Sequence, residues 1–289
     1  RAELSQLAKP QGDAKPPVDF RKTIVRVGGA LAVLWVLAAG LGSWQRASWP
    51  FWVAAGLTVA VLGVGAWAYR FMKRQEALGA LLRGADTEEG RREALSKLET
   101  GFKKGDVQAL IARAQLEMQE EPRKALATLE SVDLGRQMQA VADQVRTMRA
   151  MIHLTLGEAP EARALVDAID LGKQQEAKVR AMTAAIAGEA WGRTGAARKG
   201  VEMLELFNPD DPALAEMRIQ LLRARAFAYA GASDMKGAGR ALRKLAETSP
   251  QLLMMFVGQK RIHPLLEKEA KDLLMKSGAV PRRMVQKRV

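Results

Sequence analysis

The residues that could carry out chemistry are few and widely spaced. The chain has no cysteine and only two histidines, His153 and His263. Their spacing pairs them neither with each other nor with a carboxylate cluster, whereas acid–base and nucleophilic catalysis need such paired groups. His153 falls at a position where one helix should pack on another. We therefore expect it to be a hydrogen-bonded structural histidine.

The sequence contains no motif for binding a metal ion or a phosphate group. No Cys or clustered His and Asp residues have the spacing of metal ligands. Residues 192–200, GRTGAARKG, contain glycines and bases, but they lie between two predicted helices and lack the strand that precedes a phosphate-binding loop. Glu88, Glu89 and Glu93 form the solvated start of a helix, where acids favour the helix dipole. We expect neither an enzyme nor a bound cofactor.

The composition favours helices throughout. Hydrophobic residues make up 48% of the 289 residues and aromatic residues only 5%, while strong helix formers dominate. Alternating runs of β-branched residues are missing, which predicts an all-α fold. The net charge of +13 indicates an anionic neighbour, which could be lipid headgroups, nucleic acid or an acidic protein. The absence of cysteine fits a reducing compartment.

Two apolar runs near the start have the length of membrane spans. Residues 27–44 (VGGALAVLWVLAAGLGSW) and 49–69 (WPFWVAAGLTVAVLGVGAWAY) contain no charge, and only QRAS separates them. Because about 20 apolar residues cross about 30 Å of hydrocarbon as a helix, these runs predict a two-span transmembrane hairpin within residues 21–74. A signal peptide is the alternative interpretation of the first run.

Charged and aromatic flanks predict the orientation of this hairpin. The expected membrane-interface residues are Arg21, Lys22, Arg26, Trp44, Trp49, Trp52, Trp67, Tyr69, Arg70, Lys73 and Arg74. The turn between the spans offers Arg46 alone, so the excess of bases at the other end places both termini in the cytoplasm. We expect an integral protein of a bacterial inner membrane.

Small residues recur at four-residue spacing in both spans. Gly28 with Ala32, and Gly56 with Ala60, allow close helix contact. They could pack the hairpin on itself or dock it against another membrane protein.

The remaining chain is amphipathic and broken at regular intervals. Gly157, Gly195 and Gly231 follow one another along it. Their spacing of about 36 to 38 residues, with two helices per unit, is typical of helical repeats and predicts a helical solenoid. We expect Gly231 to end one helix and Ser233 to be the N-cap of the next.

Residues 106–250 resemble the tetratricopeptide repeat family (TPR). The matching small, aromatic and closing positions are Leu222, Ala226, Tyr229, Ala238, Leu242 and Pro250 in the last unit, Ala181, Ala185, Gly188, Ala197, Val201 and Pro209 before it, Ala150, His153, Ala162 and Val166 before that, and Ala114, Ala125 and Leu129 in a shorter first unit. Arg149 and Arg225 stand where the family has leucine. The resemblance implies an α-solenoid of TPR-like helical hairpins; an irregular helical bundle is the alternative.

In this family the first helices of the units line a concave binding face. The resemblance places there Gln144, Thr147, Met148, Met151, Met182, Ile186, Gln220, Arg223 and Phe227, with Arg180 and Arg218 able to hold carboxylates nearby. Methionines could accept varied apolar partners, or could belong to the core. Met151, Ile186 and Phe227 occupy places where the family's carboxylate clamp has asparagines, so a chaperone-tail role is not expected.

These features divide the chain into six parts. They are a flexible tail (1–20), the hairpin (21–74), linker helices (75–105), repeats (106–250), capping helices (251–278) and a basic tail (279–289). The predicted function is a membrane-anchored adaptor that binds a protein partner through its repeats; an accessory subunit packed through its hairpin is the alternative. Anionic headgroups are possible further partners, and nucleic acid is not expected because no aromatic stacking platform accompanies the charge.

Overall fold

A computed structural model of the chain describes residues 20–45, 48–103, 105–258 and 262–278. Within these ranges every regular element is a helix and no strand occurs. The all-α fold class predicted from the composition is confirmed. Both expected tails lie outside the described residues, apart from Phe20. The chain divides into two compact units between Gly101 and Phe102, and each is described by itself.

The first unit contains two long helices in contact and a shorter one. Helix α1 spans Phe20–Gln45, α2 spans Trp49–Arg83 and α3 spans Glu88–Gly101. Helices α1 and α2 pack against each other, and the Trp35 indole N–H donates to the Thr58 hydroxyl at 3.2 Å. Because the connection between them is so short, the two helices run antiparallel.

Apolar side chains cover the outside of α1 and α2. Among the described residues, the exposed large hydrophobic side chains all lie in these two helices except Met138, Val179, Leu265 and Met275. Helix α2 has 35 residues and is, within the described ranges, the one helix long and apolar enough to cross a membrane. Only 6% of its most apolar window is buried, unlike a core helix. Helix α1 carries a shorter apolar stretch, Val25–Leu41. One membrane-spanning candidate is therefore supported, and the second span stays a prediction.

The small residues expected to pack the hairpin on itself do not lie at the α1–α2 contact. Gly28, Ala32, Gly56 and Ala60 are exposed, and a Cβ atom added at either glycine would meet no atom within 4 Å. Their predicted role in self-packing is wrong. Among the described side chains, those buried in the apolar parts of the two helices are Ala38, Pro50 and Ala54 instead.

Helix α2 continues beyond its apolar part and is followed closely by α3. The hydroxyl of Thr87 accepts a hydrogen bond from the Gly90 N–H at 3.1 Å, which caps the start of α3. Glu88 and Glu89 lie in its first turn, as predicted for a solvated helix start. The apolar contacts of this region bury Leu78 and Leu98.

The second unit is a series of four helical hairpins. They are α4 (Val107–Glu117) with α5 (Pro122–Glu130), α6 (Gln139–Leu156) with α7 (Ala159–Val166), α8 (Ala177–Arg193) with α9 (Ala197–Glu205), and α10 (Arg218–Gly231) with α11 (Met235–Thr248). The second helix of each hairpin contacts the first helix of the next, and α8 also contacts both α6 and α10. A 3-10 segment, Pro250–Phe256, and helix α12, Pro264–Ser277, follow and pack on α11.

A residue in the left-handed conformation lies in the turn after the first helix of three hairpins. Gly157, Gly195 and Ser233 have φ values of 80°, 82° and 64°. The interval from Gly157 to Gly195 is equal to the interval from Gly195 to Ser233, and we call this constant interval the repeat length. Helix α10 ends at Gly231, as predicted, but the left-handed residue of the turn is Ser233, so the prediction that Ser233 is the N-cap of the next helix is wrong. The N-cap of α11 is Asp234, whose carboxylate accepts from the Gly237 N–H at 2.8 Å.

The three links between successive hairpins contain the same type of turn. In each, an aspartate carboxylate accepts a hydrogen bond of 2.9 to 3.0 Å from the backbone N–H two residues later; the three are Asp133, Asp170 and Asp211. The first two stand in nearly identical sequences, DLGRQ and DLGKQ. Such local side-chain bonds stabilise turns. This repeat is readable in the sequence, and the sequence analysis missed it.

Small residues are buried where the helices cross. The alanines with no exposed surface at the predicted repeat positions are Ala114, Ala125, Ala150, Ala162, Ala181, Ala226 and Ala238. Arg225 stands at a position where the tetratricopeptide family has leucine. Its guanidinium group donates to the carbonyls of Leu204 and Phe207, at 3.0 and 2.9 Å. A guanidinium at the C-terminal end of a helix satisfies its last carbonyls and interacts favourably with its dipole. Arg225 thus joins α10 to the end of α9.

Helices α8 and α10 touch backbone to backbone. A Cβ atom added at Gly192 would lie 2.8 Å from the Ala228 Cα, and one at Gly231 would lie 2.2 Å from the Gly192 carbonyl oxygen. Neither obstacle is a side chain that could rotate away. Glycine is therefore required at both positions for this helix spacing.

Replacing Gly192 by alanine should lower the free energy of unfolding by about 2 kcal/mol or more, because overpacking against backbone forces the helices apart. Gly239→Ala in α11 is the matched control, since its nearest neighbour is the mobile end of Arg243 at 3.4 Å. The control should be neutral or stabilising by up to about 1 kcal/mol. Urea unfolding of the full chain, followed by circular dichroism, measures both. Equal stability of the two variants would contradict the tight α8–α10 contact.

Candidate functional site

A depression lies on the second unit where three successive hairpins meet. Its lining residues are Met151 and Leu154 of α6, Ala185, Ile186 and Glu189 of α8, and Gln220 and Arg223 of α10. The space measures about 250 Å³ and is open to solvent. Its enclosed part is no larger than one water molecule. The depression is therefore a surface feature that suits a partner side chain and does not enclose a whole small molecule.

Four residues of the predicted binding face line this depression together. They are Met151, Ile186, Gln220 and Arg223. Two more lie on the same helices with accessible side chains, Met182 half-buried and Gln144 exposed.

Four residues predicted for that face are instead buried, and one of them, Ile186, borders the depression but is only 5% exposed. Thr147, Met148 and Phe227 keep only 8%, 7% and 4% of their surface exposed. Met148 belongs to the core between the first two hairpins, and the Phe227 ring packs on Phe256 with centroids 5.2 Å apart. Thr147 lies 3.4 Å from the Thr183 hydroxyl. The assignment of these four side chains to an open groove is wrong, because neighbouring helices and, for Phe227, the terminal 3-10 segment cover them.

A buried ion cluster forms the charged wall of the depression. Glu189 is 4% exposed, and its Oε1 lies 2.8 Å from Arg193 Nη2 and 3.0 Å from Arg223 Nη2. Two guanidinium groups thus share one carboxylate, which leaves an excess of one positive charge beside the depression. Because this charge is poorly solvated, it can attract an anionic or hydrogen-bond-accepting group of a partner.

Arg193 connects three hairpins. Its Nη1 donates to the Leu154 carbonyl of α6 at 3.1 Å, and its guanidinium stacks 3.8 Å from the centroid of the Phe227 ring of α10. Burial lowers the pKa of Arg193; the charge of Glu189 acts against this, and the charge of Arg223 adds to it. The guanidinium remains charged at neutral pH, because arginine does not lose its proton in proteins.

The sequence analysis did not identify Glu189. The residue lies one repeat length after Met151 and one repeat length before Phe227, so the three occupy equivalent places in their hairpins. Ile186, the residue predicted for this place in α8, lies three residues earlier. The repeat length, had it been measured to Ser233 and not to Gly231, would have pointed to Glu189.

The two arginines expected near the binding face point elsewhere. Arg180 is buried and donates to the Gln174 carbonyl at 3.1 Å. Arg218 pairs with Asp210 at 3.4 Å. Neither lines the depression, so Arg223 and Arg193 supply its positive charge.

His153 has a structural partner, as predicted. Its Nδ1 lies 2.9 Å from Glu158 Oε2, across the turn between α6 and α7, and Arg123 donates to the other carboxylate oxygen at 2.7 Å. The hydrogen bond with His153, helped by Arg123 and opposed by burial, lowers the pKa of Glu158. The second histidine, His263, stands at the N-cap of α12.

The remaining sequence candidates for chemistry have structural roles. Residues 192–200 form the end of α8, a turn at Gly195 and the start of α9. A Cβ atom at Gly200 would lie 2.8 Å from the Gly188 carbonyl oxygen, so this glycine serves close helix packing. Within the described residues, no group of three or more His, Asp or Glu side chains is placed to hold a metal ion.

The predicted membrane-interface residues all belong to α1 and α2. Those with exposed side chains are Arg26, Trp49, Trp52, Trp67, Tyr69, Arg70, Lys73 and Arg74. For Arg21, Lys22 and Trp44 the structure gives only the position along α1. The ammonium group of Lys73 lies 5.5 Å from the centroid of the Tyr69 ring.

Comparison with known proteins assigns no family to the chain, because no family model and no curated protein matches it.

Removing the carboxylate of the ion cluster and removing one of its guanidinium groups should have different effects on stability. Glu189→Gln should lower the free energy of unfolding by about 3 kcal/mol or more, because it leaves two buried guanidinium groups without a counter-charge. Arg223→Gln should cost far less, since the Glu189–Arg193 pair survives and one repulsion between like charges disappears. Urea unfolding of both full-length variants measures the difference. A larger loss for Arg223→Gln than for Glu189→Gln would show that Arg223, and not the carboxylate, holds the cluster together.

Proposed function

We propose that this chain is a membrane-anchored scaffold or adaptor. Helices α1 and α2 cross the bilayer as a two-span hairpin with both flanks in the cytoplasm, in the inner membrane of a bacterium. The helical hairpins of the second unit form a TPR-like α-solenoid that binds a protein partner around the depression. In this proposal the protein makes and breaks no covalent bonds.

The exposed apolar surface of α1 and α2 is the single observation that carries the anchor. Trp52, Leu62, Val64 and Trp67 are each more than 60% exposed. A soluble unit would leave such side chains in water at a cost of about 25 cal/mol per Å² of apolar surface, which a bilayer removes. At 1.5 Å per residue, the 35 residues of α2 extend about 52 Å, more than the hydrocarbon thickness.

The constant repeat length supports the solenoid. Three left-handed turns at equal spacing, three aspartate-capped links and contacts between successive hairpins are what stacked repeats require. An irregular bundle has no reason to keep a period. The terminal 3-10 segment and α12 bury Leu253, Phe256 and Leu266 completely against the last hairpin, which suits a capping role.

The accessible part of the binding face suits a protein partner. Gln144, Met182 and Gln220 occupy equivalent places, one repeat length apart, on three successive first helices. Met151 adds apolar contact, and Arg223 adds charge. Mixed apolar and polar surface around an arginine is typical of protein interfaces.

Crosslinking from this face tests partner binding. A photoreactive residue at Gln144 or at Gln220, in the full chain in native membranes, should yield an adduct with the same protein. Glu202 on α9 is the control, because it is exposed on a second helix. The expected result is adducts from the two glutamine positions and none from Glu202. Equal labelling from all three positions, or none from the glutamines, would contradict the proposed face.

An accessory subunit is the second candidate. The outward-facing Gly28 and Gly56 favour it, since small residues let a neighbouring transmembrane helix approach closely. Replacing residues 21–74 by an unrelated two-span anchor separates the two functions in the same crosslinking assay. An adaptor should keep its Gln144 and Gln220 adducts, whereas an accessory subunit should lose them together with its place in the complex.

A further inference from the structure

Basic residues are concentrated at one end of the α1–α2 hairpin. The Trp35–Thr58 contact sets the register of the two antiparallel helices. With equal rise along both helices, residues 20–26 of α1 lie level with residues 67–73 of α2. The bases brought to this level, or one residue beyond it, are Arg21, Lys22, Arg26, Arg70, Lys73 and Arg74, which we call the basic band.

No acid balances the basic band within its own two stretches. Their sequences, FRKTIVR for 20–26 and WAYRFMKR for 67–74, contain no carboxylate, and the nearest acids along the chain are Asp19 and Glu76. Arg70, Lys73 and Arg74 are exposed. At the opposite end of the hairpin the sequence offers Arg46 alone. The positive charge of the hairpin is therefore concentrated at one level.

Aromatic side chains stand exposed at the same level. Trp67, Tyr69 and Phe71 keep 68%, 50% and 49% of their surface exposed, and the Trp67 and Phe71 rings stack with centroids 5.8 Å apart. Such rings favour the boundary between headgroups and acyl chains. From there the apolar surface of α2 continues without a charge to Trp49.

We propose that the basic band binds the headgroups of anionic phospholipids. Its guanidinium and ammonium groups donate hydrogen bonds to phosphate oxygens, while the acyl chains lie along the exposed apolar surface of α1 and α2. A lipid fits both surfaces at once, whereas a free phosphate ion or an acidic protein fits only the charged one. This inference rests on the proposed insertion of the hairpin in a bilayer.

Lipid-selective quenching tests the basic band. Because the chain has no cysteine, Met72→Cys, exposed beside the band, can carry a single bimane label in the full-length protein. The protein is reconstituted in vesicles of equal parts phosphatidylcholine and phosphatidylglycerol, of which one or the other is brominated to quench the label. The measured quantity is the ratio of quenching by brominated phosphatidylglycerol to quenching by brominated phosphatidylcholine.

A matched pair of triple variants isolates the band. The band variant is Arg70→Gln/Lys73→Gln/Arg74→Gln. The control, Lys236→Gln/Arg240→Gln/Arg243→Gln, removes the same charges from exposed positions of α11. The unchanged chain and the control should give a ratio of about two or more, and the band variant a ratio of about one.

The other possible outcomes contradict the headgroup site, the insertion of the hairpin or the identity of the ligand. A ratio near one in the unchanged chain, or a band variant that keeps the high ratio, overturns the headgroup site and leaves the anchor intact. Absence of quenching by either brominated lipid overturns insertion itself and, with it, the anchor in the proposed function. If inorganic phosphate abolishes the high ratio when chloride at the same ionic strength does not, free phosphate ions are the ligand and the lipid assignment is wrong.

Discussion

The backbone contact between α8 and α10 is the constraint on which the second unit depends. Gly192 and Gly231 let the two helices approach until their backbone atoms are in contact. At that spacing, Glu189 and Arg193 of α8 reach Arg223 and Phe227 of α10. Any wider separation would break the ion cluster and open the depression. The packing of two glycines thus determines the electrostatics of the candidate site.

The two units differ in how far their apolar side chains are buried. In the second unit, alanines at the helix crossings let leucines and phenylalanines fill three successive core clusters. In the first unit, little besides Ala38, Pro50 and Ala54 is buried in the apolar part, and the aromatic and aliphatic side chains face outward. We propose that the exposed apolar surface of the first unit lies in the bilayer.

Composition and spacing were sufficient to predict the fold class and much of the core. A helix-forming alphabet without alternating β-branched runs predicts helices only, and alanines such as Ala150 and Ala226 could be recognised as crossing points because only small residues fit there. The exact repeat length of the helical hairpins was harder to predict. Ser233 adopts a left-handed conformation that normally favours glycine, so counting to the visible Gly231 shortened the last interval by two residues.

Burial at the candidate site depends on neighbours that the sequence does not show. Phe227 looked like part of an open face because it lies on a first helix, but Phe256 from the terminal 3-10 segment covers it. The burial of Glu189 could not be recognised from the sequence, since its two arginine partners lie four residues away on its own helix and 34 residues away on another. Gly28 and Gly56 looked like helix-packing residues, and local spacing alone could not tell which face of each helix meets the other.

The central claim is that α1 and α2 cross the bilayer and leave the second unit on the cytoplasmic side. Single cysteines at Ser48, just before α2, and at Arg74, beyond its apolar part, test it with a membrane-impermeant maleimide on intact spheroplasts. The account predicts that the Ser48→Cys protein is labelled from outside, and that the Arg74→Cys protein is labelled only after the membrane is opened. Labelling of both positions from the same side would contradict it.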